Sequence, residues 1–311
     1  MLTKIGYSAL AQSVLAVPPL ALTADLEIDR AANAAQIRHL EAGGVTTMLY
    51  GGNANVHNWP VSKFGEWLDV LEESAAADSW VIPSVGPDWG KLVDTAAVLK
   101  HRKFPVAMAL PLIAPQTAEG VVRGLEEFVA RSGIPLLVYI KTDNYIPADV
   151  MGRLVEQGIV FGIKYAVPRQ DPLKDLYLDQ LIASVGREKI VSGFGEPPAL
   201  PHLLNFKLAG FTAGCVCIAP ALSTAYRLAL QAGERAEALQ RLQPFLRLEA
   251  LRERSSAIRV LHQAVTYSGV ADMGPILPLL SLPNNDEHAE IKAAAIELFE
   301  AEMAARRVAA E

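Results

Sequence analysis

Two polar side chains that close apolar runs are the candidates for chemistry in this chain. Lys164 ends the run 159–164 and Tyr139 ends the run 135–139. A lysine in a buried run loses hydration, which favours the neutral amine, and a neutral amine can attack a carbonyl to form a Schiff base. A tyrosine can carry a proton in such a reaction. The alternatives are purely structural: a lysine at a strand end whose ammonium reaches water, and a core tyrosine whose hydroxyl is hydrogen-bonded.

The spacing of these two residues predicts how they are placed. Positions 139 and 164 are 25 residues apart, which fits one strand–helix repeat. Neighbouring parallel strands end at the same edge of a sheet, so Tyr139 and Lys164 should lie side by side. Other predicted strand ends carry the loop 51–53 and Glu196. A surface position is slightly favoured for Glu196 over an acid–base role.

Alternating strands and helices must position these side chains. Strands are predicted at residues 14–17, 45–50, 80–85, 106–110, 136–139, 160–164, 189–192 and 214–219. Helices are predicted between them at residues 28–41, 61–77, 89–100, 117–132, 148–156, 176–185 and 198–207. Eight such repeats predict an α/β fold, a (β/α)₈ TIM barrel with active-site residues at the carboxyl ends of its strands. A doubly wound open sheet would normally show a glycine-rich phosphate loop after its first strand, and residues 17–20 are not one.

Beyond Pro220 the pattern becomes entirely helical. Helices are predicted at 221–232, 236–268 and 287–308, with a break or kink at Pro244. We therefore expect a barrel over residues 1–220 and C-terminal helices over residues 221–311 that pack on it as one continuous unit.

Composition excludes several classes of protein. The chain has 311 residues, of which 51% are hydrophobic, and a formal net charge of −6. Without a basic stripe, nucleic acid is not an expected partner, and no apolar run is long enough to span a bilayer. Neither a metal-ligand cluster nor a hydrolase triad is evident, so no metal and no cofactor are expected. The two cysteines, Cys215 and Cys217, fit a reducing, cytoplasmic setting.

The ordered motifs resemble the dihydrodipicolinate synthase/N-acetylneuraminate lyase family of class I (Schiff-base) lyases, over roughly residues 14–279. The family's strand-five tyrosine matches Tyr139 and its strand-six G-x-K motif matches the segment 162–164. Its strand-two G-T-T-G-E loop matches residues 51–55, its strand-eight G-x-x-G-x-I-S motif matches residues 210–217, and its late proline-rich motif is similar to residues 274–279. The resemblance implies Lys164 and Tyr139 as catalytic residues. It implies substrate binding by Gly51, Gly52, Asn53 and Val216. Lys141 is a further candidate because its ammonium could bind a substrate carboxylate; the alternative is a solvated loop cation.

Departures from the family pattern are as informative as the matches. The two family threonines that hold the substrate carboxylate, one of them in a proton relay, correspond to Gly52 and Asn53. The relay tyrosine that the synthase borrows from a neighbouring subunit is missing from residues 110–115. Both losses argue against dihydrodipicolinate synthase itself. After Tyr139, the sequence Ile-Lys-Thr-Asp-Asn resembles the branch that dehydrates 5-dehydro-4-deoxyglucarate.

These features predict a lyase that acts on a small 2-oxo acid such as a sugar-acid derivative, either as an aldolase or as a dehydratase. Lys164 would form the imine, Tyr139 would shuttle the proton, and the loop 51–53 would bind the carboxylate. A condensation like that of the synthase and a non-catalytic barrel that binds a small molecule remain the alternatives. The expected assembly is a homodimer or homotetramer in the cytoplasm, without membrane association.

Overall fold

A closed barrel of parallel strands forms the centre of the molecule. The computed structural model describes residues 1–112 and 114–310, with the backbone alone for residues 309 and 310. Within this part of the chain, eight strands pair in sequence order and the eighth pairs with the first. The strands are β1 (Leu15–Ala16), β2 (Thr47–Tyr50), β3 (Trp80–Val85), β4 (Ala107–Ala109), β5 (Leu136–Ile140), β6 (Val160–Tyr165), β7 (Ile190–Ser192) and β8 (Gly210–Ala213). The predicted (β/α)₈ barrel is confirmed.

Helices surround this barrel and extend beyond it. The first eight are α1 (Ala9–Gln12), α2 (Arg30–Ala42), α3 (Phe64–Ser74), α4 (Trp89–Leu99), α5 (Ala118–Ser132), α6 (Ala148–Glu156), α7 (Leu176–Val185) and α8 (Glu196–Leu204). The others are α9 (Pro220–Ala232), α10 (Arg235–Leu242), α11 (Leu246–Arg254), α12 (Ala257–Ser268) and α13 (Asn285–Ala310). Side chains of Asp29, Asp88, Thr117 and Asp175 cap the first turns of α2, α4, α5 and α7, which fixes where these helices begin.

The eighth strand lies earlier in the chain than predicted. The apolar segment 214–219 was expected to be the strand, but β8 ends at Ala213 and residues Cys215–Cys217 form a 3-10 helix. Cys215 and Cys217 are buried free thiols within this 3-10 helix. Packing of the C-terminal helices over this segment buries it as thoroughly as a strand would, so an apolar run alone could not place the strand.

The C-terminal helices are tied to the barrel by specific hydrogen bonds. Glu302 on α13 accepts from the backbone N–H groups of Ala221 and Leu222, each at 3.0 Å, and so caps α9. Arg227 on α9 donates to the carbonyl oxygen of Ala11 at 2.9 Å. The predicted break at Pro244 is a 3-10 segment, Gln243–Phe245, and a second break before Ala257 was not predicted. No described helix is both long enough and apolar enough to cross a membrane.

The pairing of β5 with β6 places the two candidate catalytic residues. Tyr139 lies opposite Lys164 in the register of these strands, as their spacing predicted. Gly162 allows the close approach of β7, because a Cβ there would lie 2.7 Å from the carbonyl oxygen of Lys189. Local β-structure therefore brings the lysine and the tyrosine together at the carboxyl end of the barrel.

Candidate active site

Lys164 and Tyr139 are in direct contact. The Lys164 Nζ atom lies 4.2 Å from the centre of the Tyr139 ring, so the amine faces the ring. Lys164 is only 4% exposed, which rules out the alternative of a lysine that reaches water. A buried lysine without a carboxylate partner is costly in its charged form.

The pKa of Lys164 is lowered to about 7, against an ordinary value of 10.5. Burial is the main cause, followed by the positive charges of Lys141 and then Arg252. All three effects disfavour the ammonium form. Near neutral pH about half of the Lys164 side chains are therefore neutral amines, the form that attacks a carbonyl.

Tyr139 is partly buried, and its hydroxyl is a weak acid. Burial raises its pKa to about 12, while the charge of Arg252 acts in the opposite direction. The phenol is therefore neutral at physiological pH and can donate a proton or pass one on.

The loop after β2 has the donors needed to bind an anion. Within the described residues, the backbone N–H groups of Gly52 and Asn53 have no backbone acceptor. Asn53 uses one amide N–H to reach the carbonyl oxygen of Val17 at 2.8 Å, which ties the loop to β1. Gly51 is required for packing, because a Cβ there would lie 2.6 Å from the Met108 side chain, whereas a Cβ on Gly52 would meet nothing within 4 Å. The open space beside Gly52 is where a carboxylate could approach the free N–H groups.

Lys141 lies on the same side of the barrel as this pair. Its Nζ atom is 5.9 Å from the centre of the Tyr139 ring, although the residue itself is exposed. The structure thus brings Lys141, Tyr139 and Lys164 together. Val216 is fully buried in the 3-10 helix after β8, so its side chain is not open to a ligand in this conformation.

An ion-pair network holds the loop that carries Lys141. Arg169, after β6, donates to both carboxylate oxygens of Asp143 in the loop after β5 and to Asp175 at 2.7 Å. Asp175 is almost fully buried and also accepts from the Tyr165 hydroxyl, at 2.7 and 2.8 Å. We call Asp143, Arg169, Asp175 and Tyr165 the loop clamp. The clamp fixes the loop after β5 relative to the strand that carries Lys164.

Glu196 is not the surface residue that the sequence favoured. It is 0% exposed at the start of α8, and its Oε2 atom is buried without a hydrogen-bond partner among the described residues. Burial raises its pKa well above the ordinary value, and the negative charge of Glu249 adds to this. The two glycines that precede it, at 193 and 195, are the only local sign of close packing. Sequence periodicity could not reveal that C-terminal helices cover it.

Glu196 belongs to a buried cluster of ionisable side chains. Glu249 on α11 accepts from the Cys215 thiol at 2.8 Å and also from Arg252. Ligand atoms of Glu196, Cys215 and Glu249 lie within 4.8 Å of one another. We call these three residues and Arg252 the buried acid cluster. It lies after β7 and β8, and the sequence analysis missed Glu249 and Arg252, which are distant in the chain.

A separate cavity of about 520 Å³ lies between α4 and α5 at the ends of β3 and β4. Trp89, Leu110, Thr117, Arg123 and Tyr145 contribute to its wall, whereas Lys164 and Tyr139 do not. It borders the segment 110–115, which lacks the tyrosine of the synthase's proton relay. Ile113 of that segment lies outside the described residues. The cavity is therefore distinct from the lysine–tyrosine pair.

Comparison with known proteins identifies relatives along most of the chain, although no family model matches it. The chain is 26% identical over 266 residues to a protein named probable 5-dehydro-4-deoxyglucarate dehydratase 1 from Streptomyces coelicolor, covering 81% of each. It is 25% identical over 263 residues to the protein of the same name from Streptomyces avermitilis, covering 80% of this chain and 81% of the relative.

Solved structures share the fold at lower identity. Dihydrodipicolinate synthase from Bacillus clausii matches with a TM-score of 0.80 at 18% identity, covering 94% of this chain and 98% of the synthase. A sialic acid aldolase from Ruminococcus gnavus matches with a TM-score of 0.79 at 14% identity, covering 94% of this chain and 98% of the aldolase. These likenesses establish a common barrel architecture.

Proposed function

We propose that this chain is a divergent member of the dihydrodipicolinate synthase/N-acetylneuraminate lyase family and a lyase that acts on a 2-oxo acid through an imine at Lys164. The observation that carries the proposal is the buried Lys164 amine, with a pKa of about 7, in contact with Tyr139 at the carboxyl end of the barrel.

The chemistry begins at the neutral amine. Lys164 attacks the 2-oxo carbon, and loss of water from the adduct gives a protonated imine. The positive nitrogen withdraws electrons and acidifies the hydrogen on the neighbouring carbon. Tyr139 carries protons between the substrate and its surroundings, because its hydroxyl remains protonated at neutral pH.

The substrate carboxylate is assigned to the loop after β2 and to Lys141. Free N–H groups of Gly52 and Asn53 can donate to a carboxylate oxygen, and the Lys141 ammonium supplies a positive charge 5.9 Å from the centre of the Tyr139 ring. Gly51 keeps this loop packed against Met108.

The relatives favour dehydration of a sugar acid. Both Streptomyces proteins are named for 5-dehydro-4-deoxyglucarate, a 2-oxo acid with a hydroxyl group two carbons from its carbonyl. Loss of a hydroxyl at that position is the elimination that an imine promotes. We therefore propose this compound, or a sugar acid of the same pattern, as the substrate. Aldol cleavage, which uses the same intermediate, is the second candidate, favoured by the fold shared with the sialic acid aldolase.

Intact-mass spectrometry after borohydride reduction tests the proposal. Wild-type protein with pyruvate or with 5-dehydro-4-deoxyglucarate should gain the mass of one reduced adduct, located at Lys164 by peptide mapping. Lys164→Ala should gain none, and Lys164→Arg should also fail because a guanidinium stays protonated. An adduct at another lysine, or no adduct on wild-type protein, would refute the mechanism and leave a barrel that only binds its ligand.

A further inference from the structure

Helix α11 is a short helix between two breaks in the chain, and it covers the segment after β8. The 3-10 segment Gln243–Phe245 precedes it, and extended backbone at Ser256 follows it. Two ion pairs that join α11 to α13 are exposed, and exposed ion pairs contribute little to stability. A helix bounded in this way can open as a unit, so its buried contacts decide whether it stays closed.

The buried acid cluster joins α11 to the barrel. Glu249 on α11 accepts from the Cys215 thiol at 2.8 Å, and a Cβ on Gly195 would lie 3.1 Å from its other oxygen, Oε2. Glu196 Oε1 accepts from the Ser223 hydroxyl at 3.4 Å, while its Oε2 is buried without a partner among the described residues. Atoms of the two carboxyl groups and the thiol lie within 4.8 Å of one another. Through Glu249, α11 therefore contacts both the start of α8 and the segment after β8.

The charges in this cluster balance only if the cluster retains one proton. Two carboxyl groups face a single guanidinium, that of Arg252, which donates to Glu249. Ionising both would leave an excess negative charge where Glu196 is 0% exposed and the Glu249 side chain is 11% exposed. Such a charge is costly, so one proton shared by the two carboxyl groups is the favoured arrangement. Burial, followed by the Glu249 charge, raises the pKa of Glu196 well above its ordinary value, which agrees with a retained proton.

Among the described residues, no other group around Glu196 supplies a second positive charge. Strands β7 and β8 carry no ionisable side chain, and burial raises the pKa of the Cys215 and Cys217 thiols, which are therefore neutral. Tyr226 on α9 donates to the Glu196 carbonyl oxygen at 3.0 Å. The remaining ionisable side chains on α8, α9 and α10 bond to other partners, namely His202 to Ser192, Arg227 to Ala11, Arg235 to Asn205 and Arg241 to Glu237.

A divalent cation is a weaker explanation of the cluster than a proton. Glu249 Oε1 already accepts from both the Cys215 thiol and the Arg252 guanidinium. A cation placed among these groups would have to displace the thiol proton, and the arginine would repel it. A shared proton leaves both hydrogen bonds in place.

We propose that the buried acid cluster is a proton-dependent latch that holds α11 closed over the segment after β8. In the closed state, Glu196 and Glu249 share one proton beside Arg252. When α11 opens, both carboxyl groups reach water and release that proton, because an exposed glutamate has a pKa of about 4.3. Opening exposes Cys215 and Cys217, and with them Val216, which is buried while the latch is closed.

The pH dependence of the latch follows from the release of a proton on opening. Because the pKa of Glu196 is raised in the closed state, the stabilisation is complete below about pH 4.3 and is lost as the pH rises toward that raised pKa. Between these limits each opening event releases one proton, so the fraction of open molecules should rise about tenfold for each pH unit.

The two cysteines make the opening measurable, because they are the only cysteines in the chain and both are 0% exposed. The assay is the initial rate of alkylation of the folded protein by iodoacetamide, followed by intact-mass spectrometry. Dividing by the rate for a short cysteine peptide at the same pH removes the effect of pH on the thiolate. In wild-type protein this ratio should rise about tenfold per unit between about pH 6 and 8. In Glu196→Gln it should stay constant, because the amide has no proton to release and can donate to Glu249.

Glu302→Gln is the matched control. Glu302 is also 0% exposed, but it caps α9 and pairs with Arg306 on α13. This variant should keep the wild-type dependence on pH. Glu249→Gln covers the case in which Glu196→Gln does not fold, because it too leaves a single carboxyl group to face Arg252, and it should also remove the dependence.

A wild-type ratio that does not change with pH would overturn the latch. The wild-type dependence in folded Glu196→Gln or folded Glu249→Gln would overturn it as well. EDTA should leave wild-type alkylation unchanged, and faster alkylation in EDTA would replace the shared proton with a metal ion. The latch does not require an imine at Lys164, so a failure of borohydride trapping would refute the proposed function and leave the latch standing.

Discussion

Lys141 should help to lower the pH at which Lys164 becomes reactive, in addition to the larger effect of burial. Both ammonium groups lie over the Tyr139 ring, at 5.9 and 4.2 Å from its centre, so they are at most about 10 Å apart. At that separation two unit charges repel by about 0.4 kcal/mol in water and about 1.7 kcal/mol at an effective dielectric constant of about 20. Lys141→Met removes this repulsion, and the pKa of Lys164 should rise by at least about 0.3 to 1.2 pH units.

The change should appear as a shift of the pH profile for imine formation. The Lys164 pKa is about 7, so the wild-type amine is half neutral there. In Lys141→Met the neutral fraction near pH 7 should fall about 1.5- to 8-fold, and it should recover almost fully by about pH 9. The assay is the initial rate of adduct formation with pyruvate and cyanoborohydride across this pH range.

Lys141→Arg is the matched control, because it retains the positive charge. It should keep the wild-type profile while Lys141→Met shifts to higher pH. A profile that does not move, or that moves to lower pH, would show that Lys141 does not act on Lys164 through its charge. A uniform decrease in the rate of adduct formation at every pH would indicate that Lys141 acts only by binding the substrate carboxylate.

Three further substitutions test other parts of the site. Tyr139→Phe should still trap an adduct but lose roughly 100- to 10,000-fold in turnover; unchanged turnover would remove Tyr139 from the mechanism. Arg169→Gln should release the loop after β5 and shift the pH profile for imine formation to higher pH, as Lys141→Met should. Arg153→Gln removes an exposed ion pair on a helix and should leave that pH profile unchanged. Gly214→Ala places a Cβ 2.5 Å from the Arg252 guanidinium, and it should lower the free energy of chemical unfolding by about 1 to 3 kcal/mol. Gly124→Ala is the control, because the nearest neighbour of its Cβ is 3.9 Å away. Equal stability of the two variants would contradict the packing argument.

We also expect a homodimer or homotetramer, and expect the protein not to act as dihydrodipicolinate synthase. Light scattering at micromolar concentration should give a mass above that of one chain, and a monomeric mass would contradict the first expectation. Pyruvate with aspartate semialdehyde should give no turnover at ordinary enzyme rates, on the order of 1 to 1000 per second. Turnover in that range would show that the missing hydroxyl groups do not matter.

The sequence by itself determined the barrel and its lysine–tyrosine pair. Repeated apolar runs at strand–helix spacing are a local signal, and parallel pairing of consecutive strands then places Tyr139 opposite Lys164. The two helices at Ala148–Glu156 and Leu176–Val185 were predicted to the residue, because their apolar periodicity is clear.

Only the tertiary structure decided which other groups surround that pair. Glu196 looked like a surface residue because nothing near it in the chain shows that α11 covers it. Burial by distant helices also made the segment after Ala213 look like a strand. Glu249 and Arg252 are more than 80 positions beyond Lys164, yet Arg252 influences its pKa. Electrostatic coupling depends on distance in space and on exclusion of water, and neither is encoded in the local pattern of residues.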